Sequence, residues 1–148
     1  MSWKKLLAEN KIHTHSTSKK ELDALRALIT RDLADAAVKE LSDDRRFATA
    51  YNAALQAAKM AVASAGYRLA ATPGHHRLMF EAAGLALGHS AARSLGFFDA
   101  CRRKRNVIDY DRTLVVTKTE AEEIVAEAQA LLELVEKWIA VHHPKLVP

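Results

Sequence analysis

The chain has 148 residues, 49% hydrophobic and 27% charged, with a formal net charge of +4. That length fits one domain, 1–148, which can bury roughly two-thirds of the surface its unfolded form exposes, so neither a disulfide nor a metal is needed to hold it together. Aromatic residues make up only 6%, Cys101 has no second cysteine to bridge, and no stretch approaches the roughly 20 apolar residues of a membrane span. A membrane role and a disulfide framework are excluded on these grounds, and the expected location is the cytoplasm.

In chain order, residues 1–17 read as an N-terminal surface arm, with a short helix over 3–9 and then the polar stretch His13-Thr14-His15-Ser16-Thr17. Ser18 with Glu21 three residues on has the capping-box spacing and opens the first clear helix, whose face is Leu22, Leu25, Leu28, Ile29, Leu33, Ala36 and Ala37. Ser42, followed by Asp43 and Asp44, is a second N-cap with acids where the helix dipole is positive. The stripe Phe47, Tyr51, Ala54, Leu55, Ala58, Val62 and Ala65 follows, and Gly66 supplies a left-handed stop. Residues 67–74, ending in Pro73-Gly74, read as a loop.

A third apolar pattern starts at His75, and a fourth near Ser90 carries Leu95, Phe98, Cys101 and a basic run; Gly88-His89-Ser90 either bends one helix or separates two. Residues 111–116 read as extended. Thr117 with Glu120, or Thr119 with Glu122, caps a last helix whose stripe is Ala121, Ile124, Val125, Ala128, Leu131, Leu132, Val135 and Trp138 or Ile139. Pro144 and Pro148 bracket a tail, 143–148, that cannot continue it. Short connections between long helices make neighbours antiparallel, so the expected fold is an all-α, up-and-down bundle of four main helices, or five.

The densest charge is Arg102-Arg103-Lys104-Arg105-Asn106, with Tyr110 beyond it. One reading is a solvated helix end that complements the dipole. The other notes that consecutive helical residues fan around the axis, so part of the run must turn toward the packed seam. There Arg105, Asn106 and Tyr110 form a polar group suited to gripping a phosphate, because a guanidinium binds its oxygens in pairs. Arg102, Arg68, His75 and His76 are further candidates for the same ligand.

With Ala65-Gly66-Tyr67-Arg68, Gly74-His75-His76-Arg77, the run 102–110 and the final Glu120-Ala121 helix, the chain resembles the HEPN superfamily over roughly 47–139. These small helical bundles include metal-independent ribonucleases of toxin–antitoxin and defence systems. The resemblance implies a homodimer, an RNA or nucleotide ligand, Arg105 and Asn106 at the start of the active motif, and a nucleotidyltransferase-like antitoxin as partner. The motif histidine is here Tyr110, whose free phenol, with a pKa of about 10, is a poor base at neutral pH. Phosphate binding is therefore expected and the ribonuclease assignment stays open. Arg68 and His75 also carry the motif spacing, but across Pro73-Gly74 they would not share a helix face.

The alternative is a non-catalytic interaction module whose basic helix end docks on a partner protein. The histidine pairs 13/15, 75/76 and 142/143 lack the one-face spacing of a helical metal site, so no metal and no cofactor are expected. Cys101 reads as a packed structural thiol, and Trp3 and Trp138 as packing anchors.

Overall fold

The computed structural model describes residues 1–110 and 115–148, with positions 109 and 110 described by backbone alone. In chain order the elements are α1 (Trp3–Ala8), β1 (Ile12–Thr14), α2 (Lys19–Ala36), α3 (Asp43–Ser64), β2 (Tyr67–Leu69), α4 (His75–Leu87), α5 (Ala92–Tyr110) and α6 (Lys118–His142). The fold is an all-α antiparallel bundle with one small ribbon, β1 paired with β2.

The bundle is organised around α3. Its stripe extends well beyond the expected face: Ala50, Ala53, Ala57, Met60, Ala61 and Ala63 are buried as well. A helix that is apolar nearly all round has to be covered on several sides, and α2, α4, α5 and α6 all pack against this one. Alanine lets four neighbours approach without leaving voids. From α2 come Leu22, Leu25 and Ile29, and from α6 Ile124, Leu131, Val135 and Ile139, all buried. At the last-turn position that the stripe left open, Ile139 faces inward, whereas Trp138 lies half-buried against His142. The tail adds a single 3-10 turn, Pro144–Leu146, whose Leu146 carbonyl accepts a hydrogen bond from Arg26 at 2.7 Å.

Local signals set the helix ends. The Ser18 and Ser42 hydroxyls accept from the Glu21 and Arg45 amides. At Thr117 and Glu120 the reciprocal capping box is complete. At Ser18 it is only half formed, because the Glu21 carboxylate has turned to His15 Nε2, 2.9 Å from both of its oxygens. Gly66 ends α3 at φ +102, in the conformation a Cβ would strain. Gly88, at φ +82 and ψ −167, lies in a region essentially restricted to glycine, and this breaks the 75–110 stretch into α4 and α5 with a 3-10 turn at His89–Ala91 between them. Among the described residues there are thus five long helices, the higher of the two expected numbers. Of the segment expected as extended, 111–114 lie outside the described residues; Val115 and Val116 donate their amides to the Asp44 carboxylate at 3.4 and 3.0 Å.

The N-terminal segment differs most from expectation. Residues 1–17 are not a loose arm: Leu6 and Ile12 are buried against Leu78, and Trp3 stacks on Tyr67 with ring centroids 4.4 Å apart. The supposed loop after Gly66 supplies the strand that holds them, in register Ile12↔Leu69, His13↔Arg68 and Thr14↔Tyr67. Ile12 is buried and His13, on the opposite face, is exposed, as strand alternation requires; Thr14, at the end of the strand, is exposed as well. Truncating Ile12→Ala should therefore cost about 2–5 kcal/mol, as for other buried aliphatics. Urea denaturation measures this, and an unchanged midpoint would mean that the segment does not dock.

Candidate anion-binding site

Helical geometry sorts the basic run. Arg102, Arg105 and Asn106, spaced i, i+3 and i+4, share one face of α5. Lys104 turns the other way and pairs with Glu120 at the start of α6, and Arg103 is exposed. The shared face meets the beginning of α4. There Thr72, Gly74, His75, His76, Arg77, Arg102 and Asn106 line an open groove of about 250 Å³.

The start of α4 is itself suited to an anion. Gly74 enters it in the left-handed conformation, φ +79, and no side chain caps the helix. First-turn amides have no intrahelical acceptor, and they sit at the positive end of the dipole. The cations around them differ in how far they are already neutralised. Arg77 pairs with Glu81 at 3.1 Å. Arg102 Nε faces the Asp99 carboxylate at 3.5 Å without hydrogen-bond alignment.

Behind the groove lies Tyr51, fully buried on α3. Its hydroxyl is 3.4 Å from His76 Nδ1, a long hydrogen bond. Its ring continues an aromatic chain through Phe80 to Phe98, each step 5.8 Å between centroids. Burial pushes the phenol up to about 12, against the lowering effect of Arg105 and Arg102. Tyr51 thus stays protonated at neutral pH, and the direction of its hydrogen bond with Nδ1 follows the tautomer of the ring. His76 itself is held below the ordinary histidine value, first by burial and then by the charges of Arg105, His75 and Arg102.

The candidate residues are divided among several places. Arg102, Asn106, His75 and His76 line the groove. Arg105 stands behind it, its guanidinium carbon 5.9 Å from the centre of the Tyr51 ring. The Tyr110 side chain lies outside the described residues. Arg68 is exposed on β2 and lines a neighbouring recess, which His75 also lines. The pair with motif spacing, Arg68 and His75, therefore bridges a strand and a helix. Cys101 is half-buried, and its thiol is pushed up to about 11 by burial and by Glu123, so its basic neighbours do not make it a thiolate. Among the described residues no three His, Cys, Asp or Glu side chains gather as a metal cage, and no helix is long and apolar enough to cross a membrane.

Tyr51 was missed as a site residue. Its place in the α3 stripe foretold burial, and the one hint was a phenol where a phenylalanine would have packed equally well. Compared with protein families, curated proteins and solved structures, the chain gives no match.

The Arg105 charge disfavours the imidazolium, so replacing it with an uncharged residue of similar length should release that effect. In Arg105→Met the His76 pKa is expected to rise, as followed by NMR titration of the ring protons. An unmoved value would place Arg105 too far away to act on it.

Proposed function

We propose that this chain is an RNA- or nucleotide-binding protein that grips a phosphate in the groove at the start of α4. The observation that carries the reading is a convergence: an uncapped helix N-terminus, Arg102 and Asn106 from a second helix, and two histidines border one opening. Backbone amides and the dipole favour a phosphate at such a terminus. A guanidinium adds charge-assisted hydrogen bonds, and a carboxamide adds a neutral one. The HEPN resemblance supports the same ligand class and extends the proposal to a homodimeric component of a toxin–antitoxin or defence system.

Binding, not cleavage, is what this reading asserts. The family's motif position holds Tyr110, and the imidazoles that line the groove with Arg102 come instead from α4. RNA incubated with the protein in EDTA is expected to remain intact. A second reading, a module docking on a partner protein, draws on Val107, which is 39% exposed beside the basic face of α5.

Fluorescence anisotropy with a single-stranded RNA tests the phosphate reading. Affinity should fall steeply with salt as counterions are released. Arg102→Ala should weaken binding by roughly tenfold or more, as expected when a hydrogen bond to a charged group is lost, and should flatten the salt dependence by about one unit of slope. Lowering the pH through the His76 transition adds a positive charge to the groove, so binding should strengthen on acidification and His76→Gln should reduce that gain. Full affinity in Arg102→Ala at low salt would overturn the proposal.

A further inference from the structure

On the far side of His75 lies a second, larger recess of about 420 Å³, walled by four parts of the chain. It shares His75, and no other lining residue, with the groove that Arg102 and Asn106 border. Its floor is apolar and rigid: Val62, Ala63 and Met79 are buried core residues of α3 and α4. Tyr67 forms a flat wall, fixed from behind by its stack on Trp3 at 4.4 Å and 17° between planes.

The rim is polar and mostly cationic. Lys59 on α3 and Arg68 on β2 are exposed, and neither makes an ion pair with a described residue. Both line the recess together with His75. The one acid there, Glu21, is engaged by His15, whose Nε2 is 2.9 Å from both carboxylate oxygens. Glu21 is therefore held toward His15 and forms an ion pair with neither Lys59 nor Arg68.

We propose that this recess is a binding site for a small organic anion: a compact, flat apolar body with one phosphate or carboxylate group. The body lies on Val62 and Met79 beside the Tyr67 ring, and the anionic group meets Lys59 and Arg68. The recess is of the size usual for small-molecule sites, roughly 300–1,000 Å³, and it has their usual composition of apolar walls with a few convergent polar groups. Because Tyr67 and His15 are already fixed, little ordering remains to be done on binding. Apart from the shared His75, the inference stands on residues other than those of the phosphate groove and does not require RNA to bind there.

Phenyl phosphate is the probe, titrated into the full-length protein and followed by NMR. Saturable shifts are expected at the Met79 and Val62 methyl groups and at the Arg68 amide. The double variant Lys59→Ala/Arg68→Ala, altered only at exposed positions, should weaken the affinity at least tenfold while keeping the helical circular dichroism, and Arg102→Ala should leave it unchanged. Three results would overturn the proposal: no saturable shift, equal affinity for inorganic phosphate, which would mean the apolar floor contributes nothing, or dependence on Arg102 instead of Lys59 and Arg68. A parallel titration with adenosine monophosphate separates the two sources of such a ligand. Tighter binding than phenyl phosphate identifies a nucleotide, and equal or weaker binding a simpler aryl anion.

Discussion

The structure depends on burial of a single alanine-rich helix on nearly every side. Because α3 presents small side chains to α2, α4, α5 and α6 at once, the surrounding helices are positioned relative to one another through it. The starts of α4 and the basic face of α5 come together because both rest on the same stretch, where Tyr51 meets Phe80 and His76. Interiors packed to crystal-like density transmit small displacements. The position of the groove therefore follows from the core beneath it.

A polar layer is built directly on this core. Tyr51 carries the aromatic chain outward and ends it in a hydroxyl, His76 meets that hydroxyl, and Arg105 lies over the same ring. Arg102 and Asn106, one turn apart on the same face, are left to border solvent. The effect is a division of labour within five residues of α5: one arginine tunes an imidazole from behind and another is presented at the opening. A flexible basic tail could supply charge but not this ordering.

Most of the helical architecture could be read from local patterns, since the caps at Ser18, Ser42 and Thr117 and the 3.6-residue stripes are properties of short segments. The register Ile12↔Leu69 could not be read this way, because strand pairing across so much intervening chain has no local signature and three-residue strands carry almost no periodicity. Nor could the approach of His76 to Tyr51, which joins two helices. The basic run was visible at once, yet its residues could be sorted between groove, α6 and solvent only when the neighbours of α5 were known. The half-formed box at Ser18 has the same cause: Glu21 had a competing partner, His15, whose position is set by the ribbon. The role of Tyr110 stays with the sequence reading, since its side chain is outside the described residues.

The ribbon has one more implication. It is short, and its ladder joins a segment near position 12 to one near position 69, so the chain between them must already be folded before its hydrogen bonds offset the entropy of closing so long a loop. Elements held by few contacts open on their own at a lower free energy than the whole molecule. The ribbon is such an element, anchored to the bundle where Ile12 packs on Leu78 and Tyr67 on Trp3. Since Tyr67, Arg68 and His15 belong to this ribbon or its edge, one wall of the larger recess depends on that ladder. A molecule seated against that wall would act as a clasp, fastening the beginning of the chain to its middle.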